Sequence, residues 1–327
     1  MHPELFKIPL IDLSVKSYGL MMVIGFLAAV SLIRRLGRSF TPDPQLITNA
    51  ALYALIGGVA GARFFYVIHY FDTFRDRPLS VFAIWQGGLE LLGGVAFAIV
   101  IIFFYLLYHK LPVRRYLDVL AIGLMLALVF GRIGCFLNGC CFGKPADLPW
   151  AVRFPYDSFA CRSQISPNLE RNRPGPQLQL PPEYFADSNS IQFLKSYSQL
   201  TDRQKSEVTK GRYRCLPVHP TQLYSSAKAV LLCLLLYLFW RRSRNAERSG
   251  IAGKLLTKPG QTFALMFVLY SIARFFMEFL RDDNPFELDG LTISQLIAIP
   301  MFAFGIILMV VFHKMRPDKI LLTNRKS

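Results

Sequence analysis

Seven apolar runs of about twenty residues mark out this chain, each close to the length a helix needs to cross a hydrocarbon core. They cover 18–33, 47–68, 88–108, 117–137, 222–240, 262–279 and 291–312. Lipid offers no partners for unpaired backbone N–H and C=O groups, so a spanning segment has to be helical. With 53% apolar and 18% charged residues, the 327-residue chain carries less charge than the roughly one quarter usual in soluble domains. The net charge of +16 could suggest a nucleic-acid partner. Its Lys and Arg residues, however, gather at the ends of the apolar runs, where they read as topology signals. Nucleic-acid binding is not expected.

Counting Lys and Arg in the short connections gives an orientation. Arg34, Arg35 and Arg38 follow the first run, Lys110, Arg114 and Arg115 the third, and Arg241, Arg242, Arg244, Arg248, Lys254 and Lys258 the fifth. The tail adds Lys314, Arg316, Lys319, Arg325 and Lys326. The other connections mix in acids: Arg75 and Arg77 stand beside Asp72 and Asp76, and Arg281 stands among Asp282, Asp283, Glu287 and Asp289. The expectation is an all-α multi-pass membrane protein of seven transmembrane helices, N-terminus outside and C-terminus cytoplasmic. Its organisation is helices 1–4 in residues 1–137, an extracytoplasmic loop at 138–219, helices 5–7 in 220–313 and a basic tail at 314–327. The first sixteen residues lack the basic start and small-residue cleavage site of a signal peptide.

The loop between helices 4 and 5 holds nine of the chain's 20 prolines and no apolar periodicity. It reads as a cap, partly ordered at best, with the Pro- and Gln-rich stretch 171–182 extended or mobile. Cys161 and Cys215 lie in it, where oxidising conditions permit a disulfide. Cys140 and Cys141 are adjacent and follow Cys135, but the spacing of zinc pairs is absent, so no metal or other cofactor is expected.

Ionisable groups inside a span cost roughly 2.5–3.5 kcal/mol each at the helix centre and point to function. In the sixth run Tyr270, Arg274, Glu278 and Arg281 recur at i, i+4, i+8 and i+11, one polar stripe at about 100° per residue, opposite Phe267, Ile272 and Phe276. One glutamate cannot neutralise two arginines, and the remaining positive charge suits an anion such as a phosphate. Arg132, one turn inside the end of the fourth run, precedes Asn138 and the glycine-rich sequence that ends at Gly143. Glycines there fit either a head-group site or close helix packing. Gly87-Gly88 and Gly93-Gly94 bracket Glu90, suggesting non-helical backbone at a cavity; Glu90 reads equally as a boundary residue. Arg63 and Tyr66 end the second run, Arg63 reading by itself as a snorkelling residue.

Together these residues resemble the prolipoprotein diacylglyceryl transferase family. The correspondence runs from Tyr18 to Val311 except for the long loop. It includes Ser17-Tyr18-Gly19-Leu20, Gly61-Ala62-Arg63 with Tyr66, and Trp85 with both glycine pairs. It continues with Gly131-Arg132-Ile133-Gly134, His219-Pro220-Thr221-Gln222-Leu223-Tyr224, the Tyr270 stripe, and Ser294-Gln295 with Pro300. The resemblance implies a bacterial inner-membrane enzyme that moves the diacylglyceryl group of phosphatidylglycerol to the lipobox cysteine thiol of a preprolipoprotein, the first step of lipoprotein maturation. On that expectation Arg132 and Arg274 hold the phosphate, Glu278 orients the arginines, and Tyr270 and Tyr18 hydrogen-bond head group or thiol. Arg63, Asn138, Gly143, His219, Gln222, Tyr224 and Arg281 bind the lipid or the signal peptide.

Three positions depart from the family's pattern. Leu92 stands where the family places a histidine, Cys135 where it places Asn, and Cys140 where it places an acid. Three readings follow: arginine-assisted thiolate formation suffices, or Glu90, His219 or a cysteine replaces the base, or the chain is an inactive relative that binds lipid or lipoprotein. A transporter of anions or lipid is a further class, but it predicts polar residues toward both membrane faces.

Overall fold

The protein is described here by a computed structural model that covers residues 4–8, 13–41, 43–75, 78–83, 87–188, 191–249, 258–288 and 290–315. Asp76, Arg77, Trp85, Lys254, Asp289 and the tail beyond 315 lie outside the described residues.

Helices take up most of each of the seven apolar runs. They are α1 (Ser17–Gly37), α2 (Gln45–His69), α4 (Leu91–Tyr108), α5 (Val113–Asn138), α8 (Thr221–Arg248), α9 (Gln261–Glu278) and α10 (Ile293–Lys314). Short helices α3 (Phe71–Arg75), α6 (Phe159–Ile165) and α7 (Asp202–Thr209) lie between them. By length and composition α1, α2, α5, α8 and α10 are able to cross a membrane, the build of a multi-pass membrane protein. The other two are shorter: α4 and α9 have 18 residues each, about 27 Å of helix. Arg274 and Glu278 also dilute the apolar character of α9. The expectation of helices alone leaves out three two-stranded antiparallel ribbons: Glu4–Ile8 with Leu13–Lys16, Phe185–Ser188 with Ile191–Leu194, and Phe286–Leu288 with Leu291–Thr292.

The chain forms two compact units. One takes in Met1–Leu27, Leu124–Phe239 and Ala264–Val311; the other Ala28–Gly123, Trp240–Phe263 and Phe312–Ser327.

In the first unit the segment 138–219 is built around an apolar cluster of its own, Tyr156, Cys161, Ile165, Leu178, Tyr184, Leu200, Val208 and Cys215. Cys161 and Cys215 are joined as a disulfide, Cα atoms 5.5 Å apart. This segment is more ordered than its composition suggests. Its apolar residues follow no helical or strand period, so they announce no element; the disulfide and polar bonds across the segment bring them together. Gln164 accepts from the N–H of Leu216 through its side chain at 2.8 Å, and its backbone carbonyl accepts from Gln177 and Leu178 at 2.7 and 2.9 Å. Those last bonds pin the Pro- and Gln-rich stretch and bury Leu178.

In the second unit α2 and α4 pack through small residues. A Cβ on Gly94 would stand 2.8 Å from the Gly58 carbonyl oxygen, and one on Gly61 would strike Phe97. Small residues at this spacing let helix backbones approach closely. From α5, the Asp118 carboxylate accepts from the N–H groups of Gly260 at 2.7 Å and Phe263 at 3.0 Å, satisfying free donors at the start of α9. Arg115 makes a two-pronged pair with Glu247 at 2.9 and 3.2 Å, and Arg244 donates to the Ser39 carbonyl at 2.8 Å. Basic residues that read as topology signals thus also tie helix ends together.

The Cys161–Cys215 bridge closes a 54-residue separation, for which loop-closure entropy predicts about 4 kcal/mol of stabilisation. Replacing Cys161 by Ser should therefore expose the 138–219 segment to limited proteolysis at protease levels that leave the parent protein intact. Equal cleavage rates would show that the polar bonds suffice without the bridge.

Candidate functional site

In the first unit the polar stripe of α9 ends in a network of charges. Glu278 is 2% exposed. Its Oε2 lies 3.0 Å from Arg274 Nη1, an ion pair without a linear hydrogen bond, and 3.9 Å from Arg281 Nε. Its Oε1 accepts from Asn284 Nδ2 at 2.5 Å. Arg274 also donates to Ser294 Oγ at 2.6 Å, a group from α10 that Asn284 reaches at 3.4 Å. Helical spacing sets the first contact, since i and i+4 share a face. The turn after α9 supplies the rest.

That turn alters the charge count read from the sequence. Arg281 is held at both ends of its fork by Asp283, Nε to Oδ1 at 2.8 Å and Nη2 to Oδ2 at 2.6 Å. Arg274 pairs with Glu278 and Arg281 with Asp283, so the stripe neutralises itself. The excess charge comes instead from Arg132 on α5 and Lys228 on α8. Neither forms an ion pair or side-chain hydrogen bond among the described residues. Lys228 Nζ lies 5.2 Å from the centre of the Tyr270 ring, and Arg274, Arg132 and Arg281 are the charges close enough to act on it. Arg132 likewise acts on Arg274. Arg132, Lys228, Arg274 and Arg281 are thus four cations against the two carboxylates of Glu278 and Asp283, with Arg171, Arg173 and Asp282 close by.

Lys228 is the residue that sequence reasoning missed. It sits seven residues after Thr221, inside the fifth apolar run. A lone lysine within an apolar run is itself a signal, and two helical turns separate it from the polar motif that drew attention.

Tyr18 lies at the start of α1, its ring against α5. A Cβ on Gly134 would come within 3.2 Å of Tyr18 Cδ2 and of Met21 Cβ, whereas one on Gly131 would meet only Met22 at 3.6 Å. Gly134 is thus a close-packing residue that lets Tyr18 approach α5, and Arg132 is among the charges acting on that phenol.

Beyond α5 the chain turns at Gly139 (φ 76°) and Cys141 (φ 60°) and pairs along the end of α9. Lys144 N–H donates to the Leu280 carbonyl at 2.9 Å and Asp282 N–H to that of Phe142 at 3.3 Å. Gly143 stands between; a Cβ there would overlap the Cβ and carbonyl oxygen of His219 at 2.6 Å. Thr221 and Gln222, at the start of α8, donate to the carbonyls of Cys141 and Cys140, both at 2.8 Å. Tyr224 Oη accepts from Trp150 Nε1 at 2.6 Å. His219 Nδ1 is buried with no partner among the described residues. Asn138 interacts with Cys140. Two loop arginines brace the same turn: Arg171 donates to the Arg281 carbonyl at 2.5 Å, and Arg173 pairs with Asp282 at 2.9 Å. Burial draws the Arg171 guanidinium below the ordinary arginine pKa.

The turn also gathers three thiols. The sulfurs of Cys135, Cys140 and Cys141 all lie within 4.8 Å of one another, a grouping that zinc-pair spacing does not reveal.

A cavity of about 590 Å³ opens beside this turn, lined by Asn138, Gly139, Arg153, Phe154, Tyr156, Asp157, Phe159 and Arg214 among others. Arg132 and Arg274 do not line it. A separate apolar groove of about 230 Å³, with Ile272, Phe275, Phe276 and Phe302 in its walls, runs between α9 and α10.

Arg63, Glu90 and Leu92 belong to the second unit. Arg63 is 8% exposed. It donates to the carbonyls of Ser80, Val81, Gly87 and Gly88 at 2.6–2.9 Å, with the rings of Tyr66 and Phe74 beside it. A snorkelling side chain would be exposed; this one organises the loop before α4. Gly88 adopts φ 72°, and a Cβ there would stand 2.4 Å from the Tyr66 ring, which accounts for that glycine. Glu90 Oε2 is 3.7 Å from His69 Nδ1. Leu92 is 77% exposed.

Residues 3–311 match the family model described as prolipoprotein diacylglyceryl transferase. Among curated proteins, the phosphatidylglycerol–prolipoprotein diacylglyceryl transferase of Synechococcus elongatus is 29% identical over 311 residues, covering 94% of this chain and 88% of that one. That of Clostridium tetani is 29% identical over 306 residues, covering 94% and 96%. The Burkholderia lata protein of the same name is 28% identical over 334 residues, covering 97% of each.

Breaking a buried ion pair from one side costs about 3–5 kcal/mol, because the surviving charge stays buried. Glu278→Gln should therefore lower the thermal midpoint of the detergent-solubilised protein by several degrees. Adding Arg274→Met to that variant should recover most of the loss. A single variant as stable as the parent would show that Ser294 alone satisfies Arg274.

Proposed function

The chain belongs to the prolipoprotein diacylglyceryl transferase family, and from that membership we propose that it transfers the diacylglyceryl group of phosphatidylglycerol to the lipobox cysteine thiol of a prolipoprotein. The enzyme works in the bacterial inner membrane, with seven spans, the N-terminus outside and the site facing the outer leaflet. The Lys and Arg count along the connections supports that orientation.

One observation carries the mechanism: two cations without ion-pair partners among the described residues, Arg132 and Lys228, stand beside the neutralised stripe of α9. In the reaction a carbon–sulfur bond forms at the glyceryl carbon and the carbon–oxygen bond to the phosphate breaks. The electron pair leaves on the phosphate oxygen, giving glycerol phosphate and a thioether; the thiol's proton goes to water or to the departing phosphate. Arg132 and Lys228 meet the charge that grows on the phosphate. A fixed cation aimed at developing charge lowers the barrier more than it tightens ground-state binding. Arg274 offers its remaining N–H groups to the head group. Glu278 is its positioning residue, and Arg281, held by Asp283, anchors the turn. Tyr270 and Tyr18 flank the two cations. His219, Gln222, Tyr224, Asn138 and Gly143 shape the turn that receives the signal peptide. Arg63 serves the lipid through the loop it organises.

A second reading, an inactive lipid- or lipoprotein-binding relative, is favoured by the exposed Leu92 at the family's histidine position. One assay separates the two: radiolabelled phosphatidylglycerol, a lipobox peptide and the purified protein. The expected result is label on the peptide. Arg132→Ala should slow transfer by about 10²-fold or more, the scale for losing one preorganised charge-stabilising group, and Lys228→Met should act in the same direction. No transfer by the parent protein, with lipid still bound, would establish the second reading; full-rate transfer by both variants would remove the mechanism.

A further inference from the structure

The thiol cluster stands outside the transfer mechanism and has a chemistry of its own. Cys135 closes the last turn but one of α5, while Cys140 and Cys141 lie in the turn beyond it. Neighbouring side chains on extended backbone point to opposite sides. Cys141 is instead left-handed, and its sulfur lies within 4.8 Å of those of Cys135 and Cys140. A non-glycine residue at φ 60° is uncommon and persists only where its surroundings hold it. The surroundings do hold it: Gln222 donates to the Cys140 carbonyl and Thr221 to the Cys141 carbonyl, both at 2.8 Å. Gly139, also left-handed, supplies the reversal before it.

Three sulfurs in a fixed turn are a preorganised donor set. Among the described residues no histidine or carboxylate joins the group, so a closed four-ligand zinc site is not offered. Soft sulfur donors alone select soft ions. Charge fits as well. Three thiolates around a monovalent cation leave two negative charges, and Arg132 and Arg281 are the cations acting on Cys141.

We propose that Cys135, Cys140 and Cys141 form a three-thiolate site for a single thiophilic metal ion, Cu(I) by its donor set. Binding replaces three thiol protons by the metal and needs no change of oxidation state. The site is independent of the transferase reading, since it draws on the turn and not on lipid.

The test uses the full-length protein in detergent micelles, kept anaerobic, with Cu(I) supplied from a chromophoric Cu(I) chelator. The expected result is one equivalent withdrawn from the chelator and not displaced by equimolar Zn(II). Each of Cys135→Ser, Cys140→Ser and Cys141→Ser should weaken that binding by at least about tenfold, the scale on which even residues behind metal ligands act. Cys233→Ser should leave it unchanged, and an unaltered melting temperature certifies that each variant is folded. Retention no better than in the triple serine variant would overturn the proposal, as would displacement by Zn(II). So would alkylation of unreduced protein, denatured in the presence of a metal chelator, at fewer than the four cysteines outside the Cys161–Cys215 disulfide, because with metal and burial removed that would place a disulfide in the cluster.

Discussion

A carboxylate that is 2% exposed, Glu278, sets the charge economy of the first unit. Burying it is tolerable only because Arg274 and Asn284 meet its two oxygens. Once Arg274 is committed there and Arg281 to Asp283, each guanidinium is fixed in direction by a partner. Arg132 and Lys228, which have no such partner among the described residues, keep their full attraction for an anion. The division matters energetically. Guanidinium groups locked by carboxylates are fixed in direction, whereas cations with no carboxylate partner among the described residues supply the field. A site in which every cation were paired would bind a phosphate weakly, and one in which none were paired would be costly to fold.

Much of this could be read from the chain, and the limits of that reading are physical. The apolar runs locate the helices because lipid leaves the backbone no other solution. The α9 stripe is legible because i, i+4 and i+8 share one face. Asp283 and Asn284 fall outside any helical period, in the turn after α9, so their contacts with Arg281 and Glu278 are invisible until the turn is built. Lys228 is hard to read for the opposite reason: it is a single cation within an apolar run, two turns after a polar motif. The order of 138–219 comes from contacts between residues far apart in sequence, such as Cys161 with Cys215 and Gln164 with Leu216. Composition registers only the prolines. Arg63 illustrates a third case: residue type and location are plain in the sequence, but the partners, four carbonyls of the loop before α4, are not.

In the proposed reaction, having Leu92 in place of a histidine leaves the driving force for thiol ionisation intact. A unit positive charge about 5 Å from a forming thiolate is worth about 3 kcal/mol at an effective dielectric of about 20, roughly two pKa units. From an ordinary thiol pKa of about 8.5, that alone leaves a substantial thiolate fraction near neutrality. Glu90 faces His69 in the second unit, and His219 packs against Gly143 with its Nδ1 buried and without a hydrogen-bond partner among the described residues. In the proposed reaction the cationic excess therefore does double service, ionising the sulfur and then receiving the phosphate's charge.

The same guanidinium links the proposed transferase chemistry to the thiol turn. Arg132 acts both on Cys141 and on the neighbourhood of Lys228 and Arg274. A phosphate drawn to Arg132 and an anionic metal–thiolate group beside Cys141 compete for one positive charge. Competition of that kind is a coupling free energy, and coupling between two equilibrium binding sites is reciprocal. Whatever occupancy of the thiols does to lipid affinity, lipid must do to the affinity of the thiols for metal by the same factor. On the proposed metal occupancy, Cys135 and Cys140 set a second anionic group within reach of the charge on which the proposed transfer depends.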